Sequence, residues 1–233
     1  MRKILLFLCL ISSPLLFAQL PQSLVKSIKR TTTFDDYEGS IYMKSRYKEA
    51  SVIDEKSGTF DANLRFNIYT DAIEYTINSN LYEVMKRPTI HVRIDGDYLY
   101  YCDFKNQRGL KRSGYYVLVE LNEKYRIYKK LTLNITEPEK NTLTQLGEPG
   151  RIKSITTYYL EENGMIMELP TSKKDMLATF SDKQEELKKY IKKEKIRLRK
   201  EEDLIRFVAR YNALKSIDSS PSRSLLSNRG RSN

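Results

Sequence analysis

Few side chains in this sequence are equipped for chemistry, and they are scattered. There is one histidine, His91, and there are two cysteines, Cys9 and Cys102. A Ser-His-Asp or Cys-His mechanism would have to pass through His91, because such mechanisms need a base within hydrogen-bond reach of the nucleophile. His91 alternates with Ile90, Val92 and Ile94 and stands beside Arg93. That pattern places it on the polar side of a strand, as a surface residue. A zinc site needs several His or Cys ligands, and Cys9 falls in a leader, so His91 and Cys102 are all that remain. Neither a glycine-rich phosphate cradle nor a calcium loop occurs. The sequence therefore assigns no catalytic residue, no metal and no cofactor. Cys102 runs in step with Tyr98, Tyr100 and Phe104. On an aromatic face a thiol acts as a small hydrophobe; a reactive or pairing thiol is the alternative.

Two polar sets stand out. Arg65, Asn67, Tyr69 and Asp71 alternate along one side of a strand. Groups so spaced can orient a ligand by hydrogen bonds, or they form an ordinary solvent-facing strand side. Lys188, Lys189, Lys192 and Lys193 crowd a helix together with Lys195, Arg197, Arg199 and Lys200, offset only by Glu185, Glu186 and Glu194. With Leu187, Tyr190 and Ile191 turned inward, most of these cations face out, either as a surface for anionic partners or as a solvated helix face. The chain is also rich in tyrosine, including Tyr100, Tyr115, Tyr116 and Tyr128. Tyrosines on a sheet stack sugars or make protein contacts, and they are good strand formers. Carboxylate pairs for glycoside hydrolysis are recognised only by their separation in space, and no spacing singles one out. Asn134-Ile135-Thr136 matches a glycosylation acceptor, a three-residue pattern common by chance.

The elements that must position these groups follow from periodicity. Residues 1–18 have a basic start, Met1-Arg2-Lys3, then the apolar run Ile4–Ile11, then Leu15-Leu16-Phe17-Ala18. This is the order of a cleavable signal peptide, shorter than a bilayer span. Cleavage is expected near Ala18–Gln19, giving an exported, periplasmic or secreted protein with no transmembrane segment in the mature chain. With Cys102 as its one cysteine, that chain has no internal disulfide and relies on a hydrophobic core. Residues 19–37 form an N-terminal arm, with a helical turn near Leu24–Ile28 as one option.

From 38 to 170 the period is two, the strand period. Strands are expected at 62–70, 73–77, 90–94, 97–102, 115–121, 125–133, 152–160 and 165–169. The phase flips at Thr70-Asp71, so a turn is placed at 70–72. Asp95-Gly96 and Asn163-Gly164 are two-residue hairpin turns. Residues 134–150, with Pro138, Gly147, Pro149 and Gly150, read as a long loop. After Pro170 the period becomes helical, with helices near 172–180, 182–195 and from Glu201 onward. Residues 216–233 read as disordered. The expected fold is α+β, mainly β: an antiparallel meander, curved into a sheet or roll, with about three short C-terminal helices (171–215) packed on it in the same domain. The charge divides unevenly, since 19–170 hold 22 basic and 21 acidic residues and 171–233 hold 17 and 9.

Three stretches resemble a family of uncharacterised proteins secreted by Gram-negative bacteria: Leu64–Tyr75, Gly114–Glu120, and Lys173–Leu177 through Glu202–Leu204. The resemblance covers roughly 38–215, implies export and a β-then-α order, and implies no activity. The functional expectation is a non-catalytic exported binding or envelope-associated protein. Its alternatives are a hydrolase acting on envelope polymers through carboxylates, or a carrier of a hydrophobic ligand. Anionic lipid, lipopolysaccharide or another envelope component is the expected partner, and nucleic acid is not, because an exported protein seldom meets its own cell's nucleic acid.

Overall fold

The computed structural model describes residues 19–35, 37–140 and 147–219. The expected leader at 1–18 and the expected disordered tail from 220 lie outside the described residues. The chain divides into two compact units, residues 1–167 and 168–233.

The first unit is built from strands: β1 (Val25–Ser27), β2 (Lys48–Asp54), β3 (Gly58–Asn67), β4 (Ala72–Ile77), β5 (Asn80–Val84), β6 (Ile90–Ile94), β7 (Asp97–Asn106), β8 (Lys111–Leu121), β9 (Arg126–Thr136), β10 (Glu139–Lys140), β11 (Gly147–Glu148), β12 (Arg151–Glu162) and β13 (Met165–Leu169). Eleven of them form one sheet in the order β1-β5-β4-β3-β2-β6-β7-β13-β12-β9-β8. Turn chemistry sets the hairpins. Asp95-Gly96 and Asn163-Gly164 have φ of +52° and +88°, and +54° and +79°, the left-handed pair that matches strand twist. Asn78-Ser79 takes the same form, φ +48° and +65°, and joins β4 to β5. Where a helical turn was an option, Gln22–Leu24 form one 3₁₀ turn and Val25–Ser27 a strand. The region expected as a long loop starts as the end of β9 and continues into the small β10–β11 ladder.

The sheet cannot be flat. β3 and β8 are four pairings apart, which along a flat sheet is about 19 Å at about 4.8 Å per pairing. Yet the rings of Phe66 on β3 and Tyr115 on β8 lie 5.7 Å apart, edge to face. The sheet therefore curls until its own face closes over Val52, Leu64, Phe66, Ile73, Val84, Val92, Leu99, Tyr115 and Val117, all buried in one cluster. A second closure follows from β8 pairing β7 as well as β9, and from β13 pairing β7 in parallel at Met165–Lys105 and Ile166–Asn106. Strands β7, β8, β9, β12 and β13 thus form a ring. Inside it lie Phe104, Tyr116, Tyr128 and Ile166, with Tyr100, Cys102, Leu118 and Tyr159 against them.

Strand alternation serves both interiors at once. On β7, Leu99 and Tyr101 enter the first while Tyr100, Cys102 and Phe104 enter the second; on β8, Tyr115 and Val117 oppose Tyr116 and Leu118 in the same way.

The second unit carries α1 (Lys173–Thr179), α2 (Gln184–Lys193) and α3 (Glu201–Ser219). Ser172 caps α1 by accepting from the Asp175 amide, as the Ser-x-x-Asp spacing predicts. Phe180 meets Phe207 at 5.6 Å and Tyr211 at 4.5 Å, and Leu204, Phe207, Val208 and Tyr211, at helical spacing on α3, are buried. Helix α3 runs on through residues 216–219, which had read as the start of the tail. The described residues therefore form a mainly antiparallel β fold followed by three helices, an α+β protein.

Candidate functional site

Arg65 and Asn67 are brought together, and neither faces solvent freely. Hydrogen bonding of β3 to β4 places Arg65 opposite Glu74, and β4 to β5 places Glu74 opposite Glu83. Glu83 in turn faces Lys26 of β1. The result is a charge ladder across four strands, Arg65–Glu74–Glu83–Lys26. Arg65 Nη2 donates to Glu74 Oε2 at 2.7 Å, and the two side chains are 14% and 3% exposed. Asn67 Nδ2 donates to Glu74 Oε1 at 2.8 Å. Lys26 Nζ lies 2.6 Å from Glu83 Oε1. The Arg65 guanidinium also lies over two tyrosine rings, 3.5 Å from the centroid of Tyr42 and 4.4 Å from that of Tyr47. These rings come from the segment before β2, whose Tyr42 pairs with Asn67 in an isolated bridge. Burial beside Glu74 pushes the Tyr42 phenol up. Nε of Arg65 is buried without a partner.

Glu74 and Glu83, two neighbouring buried carboxylates, resemble acid–base machinery. Their partners decide otherwise. Glu74 accepts from a guanidinium and an amide, and Glu83 from an ammonium. Both oxygens of Glu74 are engaged by donors from β3, so its side chain ties two strands together. A hydrolytic pair needs a protonated acid facing a free base.

The other two members of the expected set lie elsewhere. Tyr69 is 52% exposed and meets the Phe34 ring at 4.7 Å, edge to face. Asp71, at the 70–72 turn with φ +50°, accepts from the Tyr115 amide at 3.1 Å, fastening the β3–β4 turn to β8. Lys130 approaches the same place. Burial pushes its ammonium down, with Asp71 opposing that shift. Gly114 makes room for both: its φ is +144°, and a Cβ there would collide with Lys130 Nζ and Asp71 Oδ2. Asp71 is therefore a latch of the first curl. The sequence signalled a turn there, but nothing in its spacing pointed to β8.

His91 stacks on Tyr100 at 4.8 Å between centroids, 14° from parallel, while Ile90, Val92 and Ile94 are buried. Burial lowers its pKa. Cys102 sits among the ring's aromatics, and burial pushes its thiol up to about 12, which favours the neutral thiol over the reactive thiolate. Among the described residues no group of three or more His, Cys, Asp or Glu can hold a metal ion.

In the second unit, Leu187, Ile191, Ile196 and Leu198 are buried while Lys188, Lys189, Lys192, Lys193, Lys195, Arg197, Arg199 and Lys200 are all exposed. Lys188 pairs with Glu185 and Arg197 with Asp203. No helix among the described residues is long and apolar enough to cross a membrane. Comparison with protein-family models, curated proteins and solved structures finds no match to this chain.

Proposed function

We propose that the chain is an exported, envelope-associated binding protein that works through its surface rather than through catalysis. One observation carries the reading. In both curls of the sheet the protein's own side chains meet across the interior, Phe66 with Tyr115 in the first and Phe104, Tyr116 and Tyr128 in the second. A carrier of a hydrophobic ligand needs a cavity of about 300 Å³ or more for a typical small molecule, and ring contacts across both interiors speak against one there. A hydrolase needs a free acid–base pair, and Glu74 and Glu83 are each engaged by a cation. Export rests on the leader pattern of residues 1–18 and on the resemblance to secreted proteins.

Cell fractionation with N-terminal sequencing, combined with turnover assays on peptidoglycan and envelope polysaccharide, tests this function. The expected outcome is a mature chain beginning at Gln19 in the envelope fraction, with no turnover. Cytoplasmic protein retaining Met1 would overturn the export reading. Turnover abolished by Glu74→Gln would overturn the non-catalytic one.

A further inference from the structure

Resting on the envelope reading, we infer that the connection between α2 and α3, with the outer face of α2, is a docking surface for anionic phospholipid. Residues 184–200 hold eight basic and three acidic side chains, a net of +5. All eight cations are exposed. Six of them, Lys189, Lys192, Lys193, Lys195, Arg199 and Lys200, have no carboxylate partner among the described residues.

Local stability accounts for only part of this charge. Cations in the last turn of a helix favour its dipole, which explains Lys192 and Lys193 on α2. Arg199 and Lys200 stand at the opposite kind of position, just before the positive end of α3, where cations are unfavourable. Glu201, Glu202 and Asp203 follow in the first turn of α3, and of these Asp203 is bonded to Arg197 and Arg206.

The connection is also fixed in place. Lys195 takes φ +52°, the Ile196 amide donates to the Ile191 carbonyl, and the Arg197 amide donates to Asp203 Oδ2 at 3.0 Å. Ile196 and Leu198 are buried, so the alternation holds Lys195, Arg197 and Arg199 outward beside the helical lysines. The backbone that carries these cations is therefore fixed before any partner arrives.

The chemistry favours a lipid surface over nucleic acid. The patch is mostly lysine, a point charge suited to a field of phosphates, whereas single-strand readers interleave cations with exposed aromatic platforms. The one aromatic on α2, Tyr190, is half-buried with Arg210 at its ring, 5.9 Å from the centroid.

Co-sedimentation of the full mature chain with phosphatidylglycerol–phosphatidylcholine vesicles tests the inference. Binding is expected at about 0.1 M salt and release at about 1 M, as the Debye length falls from about 10 Å to about 3 Å. The variant Lys189→Glu/Lys192→Glu/Lys193→Glu is expected to weaken binding by about a hundredfold or more, and Lys192→Gln/Lys193→Gln, gentler on the helix, by about tenfold or more. A control with the same charge change, Lys105→Glu/Arg108→Glu/Lys111→Glu on the β7–β8 turn, is expected to keep it. Circular dichroism confirms folding of each. No binding at low salt, equal binding to pure phosphatidylcholine, equal loss in the control, or tighter binding to single-stranded DNA at the same salt would each overturn the inference. An exported protein that ignores these vesicles leaves the proposed function standing and removes only this surface.

Discussion

Truncating Glu74 to alanine removes the centre of the cross-strand ladder. The carboxylate is 3% exposed and receives Arg65 at 2.7 Å and Asn67 at 2.8 Å. Its loss leaves a guanidinium only 14% exposed without a counter-charge, and a buried amide without an acceptor. Breaking one side of a buried ion pair costs about 3–5 kcal/mol. The tyrosine rings over Arg65 offset little of this, since cation–π contacts contribute about 0.5–2 kcal/mol and are already made. For a chain of this size each 1 kcal/mol shifts the melting temperature by about 2–4 °C, so Glu74→Ala should lower it by about 6–20 °C. Glu74→Gln also removes the counter-charge of Arg65 but keeps one oxygen to accept a hydrogen bond, and should cost less than Glu74→Ala. Arg65→Met with Glu74→Leu, which removes both charges, should cost less than Glu74→Ala alone. Urea unfolding of the three variants measures the series. A cost for Glu74→Ala below about 1 kcal/mol, the range of an exposed pair, would refute the reasoning that this ladder is buried and structural.

Gly114→Ala combines backbone strain at φ +144° with displacement of Asp71 from the Tyr115 amide, and is expected to cost about 3–5 kcal/mol in urea unfolding. Cys102 is raised from 9.0 to about 12. The folded state therefore favours the neutral thiol, and its contribution is complete below pH 9 and lost as pH climbs toward 12. Thermal unfolding should weaken across that window, and less so in Cys102→Ala; alkylation of the folded protein at neutral pH should be slow. The lowered pKa of His91 has the opposite sense. Its neutral form stabilises the fold above pH 6.5, and this is lost on acidification, so His91→Gln should flatten the acid side of the stability profile while leaving vesicle binding unchanged.

The fold was legible because its signals are local. Period-two alternation, Asp95-Gly96 and Asn163-Gly164 are read without knowing what lies across the sheet. The β4–β5 hairpin was harder, because Asn78-Ser79 reaches the same left-handed pair without a glycine. The second curl was invisible for a different reason. Pairing β7 with both β8 and β13 depends on a parallel contact between residues about sixty positions apart, and period alone cannot choose partners. The candidate set on β3 split for the same reason. Alternation put Arg65 and Asn67 on one face, but only the register with β4 and the bridge at Tyr42 turned that face into a buried network. Asp71 shared the alternation and serves a different strand. The lysines of α2 were legible because helical spacing alone sorts Leu187 and Ile191 inward from their charged neighbours.

We propose a protein whose curled sheet is packed with its own side chains and that acts at its surface in the envelope. Native mass spectrometry of the protein purified from its own envelope and washed in high salt tests that claim most directly. The expected mass is that of the chain from Gln19 onward, with no apolar molecule retained. A stoichiometric lipid or fatty acid that survives the wash would place a ligand inside the curled sheet and make the protein a carrier instead.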